Sequence, residues 1–260
     1  MHYDPIKDRL ASLIALYPVF RITLYRILDV LLLRQRYVKK MIYRYCKSPI
    51  DFYVAGSWFF KYSWFGLKTM PVSKVSATDV KKNYLDDFDF WVKETFTDRF
   101  TYSVADIQFH TPCKQFDMII AVDIMEHIED DVRTFKNFHN CLKDEGILII
   151  STPSDLDNSA QFTEEHFRPG YNKIELEQKL TNLGFDILDS IFTYGKFGSL
   201  SWKLMMKFPL QLLNRNIGFI AILPLWYLCV TPISEVLMHL DMKRANETGT
   251  GLLIVARKSQ

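Results

Sequence analysis

The sequence predicts an α/β fold: a mostly parallel sheet with an antiparallel last strand, preceded by a helical arm and carrying a C-terminal helical insertion. From residue 50 onward, short apolar runs alternate with helix-like segments, the order of a sheet wound with crossover helices. One β-α-β unit has readable ends. "FDMIIAVDI" and "GILIISTP" flank "EDDVRTFKNFHNCLKDEG", which places Val132, Phe135, Phe138 and Leu142 on one helical face and is expected to stop at Gly146. The strand candidates "FDILDSIFTYG" and "TGTGLLIVARK" are separated by a long insertion, so they can pair antiparallel at one sheet edge.

Taken in order, residues 1–48 are the arm. "PIKDRLASLIALYPVFRITLYRILDVLLLRQRYVKKMIYRYC" has apolar residues at helical spacing interrupted by Pro18, which predicts two or three amphipathic helices. They suit a cap packed on the core or a cationic face turned to a membrane or substrate, and the two readings are compatible. The core spans 49–196, with "IDFYVA", "KVSATDV" and "FTYSVADI" as its first strands. After Pro153 the polar loop "SDLDNSAQFTEEHFRPGY" leads into the helix "NKIELEQKLTNLG". Residues 197–245 form the insertion, a lid or membrane contact, and 246–260 return as the last core strand. Within the insertion, the 19 residues Asn216 to Ser234 carry no charge, close to a bilayer span in length. Pro224, Pro232, Asn216, Gly218 and Thr231 favour interfacial or packed helices instead.

With 48% hydrophobic and 24% charged residues the chain is globular, not disordered. Net charge is +2 but uneven: the arm holds ten Lys or Arg against Asp4, Asp8 and Asp29. A basic arm on an acidic body calls for an anionic partner, and no nucleic-acid-binding motif accompanies it, so a peripheral membrane surface is the expectation. Cys46, Cys113, Cys141 and Cys229 form no CxxC pair, which points to reduced thiols and a cytoplasmic protein. No signal peptide is evident, because residues 1–10 are polar and no small-residue cleavage site follows.

Ligands of such sheets sit at the carboxyl ends of the strands, which here are Gly56, Asp79, Asp106, Asp123 and Ser151. Asp79 lies 23 residues after Gly56, where an acid can accept two hydrogen bonds from a ribose diol. Asp106 stands one strand further out, within reach of a base edge.

"FDMIIAVDIMEHIEDDVRTFKNFHNCLKDEGILIISTPSD", with "SATDV" and "VADI" upstream and "EEHFRPGYNKIELEQKLTNLGF" downstream, resembles the class I S-adenosylmethionine-dependent methyltransferases over residues 50–190. The resemblance implies a Rossmann-like class I methyltransferase sheet and S-adenosyl-L-methionine as cofactor. Its site would be Ala55, Gly56, Ser57, Asp79, Asp106, Ile107, Val122 and Asp123. One stretch departs from the family. "VAGSWFFKY" stands where the family has a loop of three glycines; Gly56 takes the first position, and Trp58 and Phe60 take the second and third. Large rings there would fill a cradle that depends on backbone approach, or turn the loop elsewhere. Two functions follow: a methyltransferase with a reshaped pocket, or a catalytically inactive methyltransferase-fold protein serving as a binding or scaffold module, beside a homologous partner or a membrane.

"DIMEH" resembles the metal-holding pattern of some quinone-precursor O-methyltransferases, which would make Asp123, Glu126 and His127 ligands for a divalent metal. Glu126 as a helix cap is the alternative. His127 and His166 are the candidate catalytic residues, since an imidazole titrates near neutral pH and can take a proton from a hydroxyl. The apolar insertion and basic arm favour a small-molecule or lipid-like, amphiphilic acceptor; no residue gives the acceptor atom, and O-methylation is the expected reaction.

Overall fold

A computed structural model describes residues 18–47, 49–56, 58–70, 72–93, 95–96, 98–156 and 167–259. The arm contributes α1 (Pro18–Leu31) and α2 (Leu33–Tyr45). Leu32 separates them in an extended conformation, so within the described arm the break falls there, with Pro18 opening α1. The reason is burial: the break turns Leu33, Val38 and Ile42 fully inward.

The core follows as β1 (Ile50–Ala55), a short 3₁₀ turn (Trp58–Phe60), α3 (Lys61–Thr69), β2 (Val72–Asp79), α4 (Lys82–Lys93), β3 (Phe100–Val104) and β4 (Phe116–Val122). Then come a 3₁₀ turn (Met125–His127), α5 (Asp131–Cys141), β5 (Leu142–Pro153), α6 (Lys173–Asn182) and β6 (Phe185–Thr193). The insertion is α7 (Lys196–Trp202), a π turn (Lys203–Lys207), α8 (Phe208–Arg215), a 3₁₀ turn (Ile217–Ala221) and α9 (Leu223–Lys243), before β7 (Gly251–Lys258).

The seven strands form one sheet ordered β3-β2-β1-β4-β5-β7-β6, with β7 antiparallel to both its neighbours. This is the expected sheet, its antiparallel pair at the predicted edge. Alternate residues serve opposite faces: Phe52, Val54, Met118, Ile120 and Ile149 pack with the arm, while Ala55, Ile119, Leu148 and Ile150 pack with α5 and α6. Both faces being covered, these strands are almost continuously apolar.

The α5 expectation needs correcting. The helix ends at Cys141, Leu142 already lies in β5, and Val132 is 37% exposed. Phe135 and Phe138 do face the core. "KDEG" is a bulge: the β4 register jumps from Phe116↔Leu142 to Met118↔Ile147, and Glu145 has a left-handed φ of 62°.

Proline explains the shape of the insertion. Pro209 has no N–H for the carbonyl four residues back, and the helix widens into the π turn just before it. Tyr227 Oη donates to Met205 O at 3.0 Å and Trp226 Nε1 to Leu204 O at 3.0 Å, satisfying carbonyls of that turn. Pro224 sits in the first turn of α9, whereas Pro232 lies inside it. One side of α9, carrying Val230, Ser234, Met238 and Asp241, is buried. Asp241 accepts from Gly198 N at 2.9 Å and Tyr37 Oη at 3.0 Å. A Cβ on Gly198 would stand 2.8 Å from Asp241 Oδ2, so only glycine lets α7, α9 and the arm meet there.

Candidate active site

The register brings the strand ends to one edge. Ala55 pairs with Thr78 and Ala121, Asp79 with Val104, and Val122 with Ser151. Gly56 follows with φ of +57°, its N–H donating to Thr78 O at 2.9 Å. A Cβ there would lie 2.7 Å from Ile124 Cδ1, so this turn has a conformational and a steric need for glycine.

Asp79 and Asp106, both half-buried, are oriented by their own turns. Asp79 accepts from Lys81 N at 2.9 Å, and Asp106 accepts from Gln108 N at 2.9 Å and from its side-chain amide at 3.2 and 3.3 Å. Ile107 is buried beside them and Val122 half-buried. Ser57 and His166 lie outside the described residues, as does the Trp58 side chain. Phe167 N donates to Glu126 O at 3.0 Å, so the chain carrying His166 rejoins the described fold beside Glu126.

The rings of Phe59 and Phe60 in the aromatic loop are buried in hydrophobic clusters. Phe59 and Phe60 hold left-handed backbone, φ 59° and 53°, conformations that normally select glycine. Phe60 is buried, its ring centroid 5.1 Å from that of Phe88. Phe59 is buried beneath the arm, where Tyr25 Oη donates to its carbonyl oxygen. Left-handed backbone costs roughly 1–2 kcal/mol per residue. Burying each ring returns about 1.5–3 kcal/mol, enough to hold the turn.

The fourth strand end is the electrostatic centre. Asp123 has φ of 50°, and its Oδ2 meets Arg34 Nη2 at 2.5 Å. Arg34 N also donates to Tyr194 Oη at 3.2 Å. Burial raises the Asp123 carboxyl against the pull of Arg34 and His127. Glu126, 2% exposed, accepts from Thr152 Oγ1 at 3.1 Å, and burial together with the Asp123 charge pushes its pKa up to about 8. Nearby, Lys61 pairs with Asp29 at 2.6 Å, and burial lowers its pKa to about 8. Asp123 Oδ1, Arg34 Nε and Tyr62 Oη are buried without a hydrogen-bond partner among the described residues. Such orphaned groups fit a polar ligand, and with Gly56 and Asp79 on the same edge they suit an amino-acid-bearing nucleoside such as S-adenosylmethionine.

A cleft of about 490 Å³ opens beside this centre, lined among others by Arg34, Ser151, Thr152, Tyr194, Lys203 and Lys207. The sequence reading missed Arg34, Tyr62 and Tyr194, which come from the arm, from α3 and from the end of β6. Only Tyr194 had a local signal, its place just past a strand before Gly195. "RPGY" supports the site from outside. Arg168 and Tyr171 converge on Asp131 at 2.5 and 2.9 Å, and Tyr171 Oη reaches Met125 O at 3.1 Å, anchoring the turn that carries Glu126 and His127. Among the described residues, no group of three or more His, Cys, Asp or Glu is placed to hold a metal ion.

A family model described as a methyltransferase domain matches residues 46–190, more than half of the chain. Similar solved structures include a candidate sarcosine dimethylglycine methyltransferase from Galdieria sulphuraria, 14% identical with a TM-score of 0.59, covering 87% of this chain and 84% of that one. N-methyltransferase NodS from Bradyrhizobium japonicum WM9, in complex with S-adenosyl-L-homocysteine, is 12% identical with a TM-score of 0.54 and 87% coverage of each chain. The cyclase SpnF is 14% identical with a TM-score of 0.58, covering 85% and 80%. No curated protein sequence matches the chain. At these identities the structural likeness is one of fold.

Proposed function

The chain belongs to the methyltransferase-domain family, the S-adenosylmethionine-dependent enzymes of class I fold, and we propose that it methylates a hydroxyl oxygen of a small or amphiphilic acceptor at a membrane surface. The observation that carries this reading is the position of the cleft. Its buried wall of Ser151 and Thr152 continues the carboxyl edge on which Gly56, Asp79, Asp106 and Asp123 stand.

Ala55, Gly56 and Ser57 would hold the amino-acid part of the cofactor, Asp79 its ribose, and Asp106 with Ile107 its base, with Val122 and Asp123 closing the edge. The bound cofactor supplies an electrophilic methyl on a sulfonium. The protein's task is then alignment of the acceptor oxygen, since in-line displacement gains most from geometry. His127 and His166 are the candidates for taking the hydroxyl proton. Burial and the Asp123 charge raise the Glu126 carboxyl above the ordinary carboxylate range, which suits it to a hydrogen-bonding role more than to that of a base.

Membrane contact is supported by the free face of α9. Leu225, Leu228, Ile233 and Val236 are 54–72% exposed, a contiguous apolar surface unusual on a protein facing only water. α9 is long and apolar enough to cross a membrane, but its other side is fastened to the arm and α7, which favours a helix lying in the interface with Lys203, Lys207 and Arg215 nearby.

Calorimetric titration tests the reading. S-adenosylmethionine and S-adenosylhomocysteine should both bind, and absence of binding at millimolar ligand would refute it and leave a binding module of methyltransferase fold.

A further inference from the structure

The cleft beside Asp123 has a one-sided charge pattern. Among the described residues, its charged lining residues are Arg34, Lys203 and Lys207, with no carboxylate beside them. Arg34 is committed to Asp123, while Lys203 and Lys207 have no ion pair among the described residues. Both lysines sit on the π turn created before Pro209, and π turns recur at functional sites because the inserted residue re-aims side chains. Ser151 Oγ, buried in the same cleft, has no hydrogen-bond partner among the described residues. Leu32, Leu156 and Trp202 supply apolar wall, and exposed Leu200, Phe208 and Leu210 continue along α7 and α8.

We propose that this cleft takes a phosphorylated amphiphile, its phosphate held between the Lys203 and Lys207 ammonium groups and its alkyl chain laid against Leu32, Leu156 and Trp202. The inference rests on the reading of the cleft as the acceptor site, and it names the acceptor's class. Lysine suits the role as a compact point charge able to meet a phosphate from several directions. The apolar wall offers contact that an alkyl chain can make and an inorganic anion cannot. An amphiphile of this kind also matches the exposed apolar residues of α8 and α9, among them Leu210, Leu225 and Leu228.

The test is a calorimetric titration of the full chain with dodecyl phosphate below its micellar concentration, beside dodecyl maltoside and inorganic phosphate. Dodecyl phosphate should bind at least about tenfold more tightly than either, the worth of a charge-assisted contact. The exposed pair of changes Lys203→Gln and Lys207→Gln should erase the preference for the charged head and leave S-adenosylmethionine affinity and melting temperature unchanged. Binding that ignores head charge, or a preference that survives both changes, overturns the proposal. So does inorganic phosphate matching dodecyl phosphate, which would mark an adventitious ion only. Failure of the cofactor to bind strikes the methyltransferase reading instead, so the two failures are distinguishable.

Discussion

Arg34 Nη2 lies 2.5 Å from Asp123 Oδ2, joining the N-terminal arm to the end of the fourth strand. The arm thereby supplies, through Leu32 and Arg34, a wall of the cleft as well as a cap on the core. Both side chains keep about a quarter to a third of their surface exposed, so the pair is partly screened. Replacing Arg34 with Met should cost about 1–2 kcal/mol in urea unfolding, less than a fully buried pair would lose. Adding Asp123→Asn should recover at least half of that, and a coupling energy near zero would show the two residues to be independent.

Stability should carry a pH signature from Glu126. Its pKa rises from the ordinary carboxylate value near 4.5 to about 8 in the folded state, so the folded protein keeps a proton that the unfolded chain releases. That contribution is complete below about pH 4 and is lost as pH climbs to about 8. Glu126→Gln should flatten the decline between pH 5 and 8 and leave the variant more stable than wild type at pH 8. An unchanged slope would place the titration elsewhere.

At the second strand end, Asp79→Asn keeps an oxygen for the Lys81 N–H and so keeps the turn. The loss of charge should still weaken S-adenosylmethionine binding about tenfold or more, read by calorimetry. Equal affinity in the variant would remove Asp79 from the cofactor site.

In the loop, Phe60→Ala should destabilise by about 3–5 kcal/mol, because a fully buried ring against Phe88 leaves a cavity. Trp58→Gly is the complementary change, and it should alter cofactor affinity if the loop aligns with the family's glycines. Binding indifferent to Trp58 would show that alignment to be displaced.

On the free face of α9, Leu228→Glu with Val236→Glu should leave unfolding within about 0.5 kcal/mol of wild type, both sites being exposed. Co-sedimentation with anionic liposomes should fall sharply with these changes and weaken with salt. Undiminished liposome binding would assign membrane contact to another surface.

The sequence by itself determined the sheet. Strands buried on both faces must read as apolar runs such as "FDMIIAVDI" and "GILIISTP", and an amphipathic helix between them must be a crossover, so order and strand ends are local information. The positions of Gly56, Asp79, Asp106 and Asp123 followed from the same rule. Where "KDEG" misled, a helix-stop glycine and a bulge glycine look alike in sequence, and the register of β4 decided between them. Tertiary structure alone decided what stands over the strand ends. The meeting of Arg34 with Asp123, and of Lys203 and Lys207 with the wall of β5, joins segments far apart in the chain. No periodicity encodes such a meeting; packing of the arm and insertion against one sheet produces it. The same holds for the aromatic loop. Its spacing to Asp79 locates it, but only the hydrophobic space beside Phe88 and Tyr25 explains why Phe60 and Phe59 can take a glycine's backbone and point their rings into the protein.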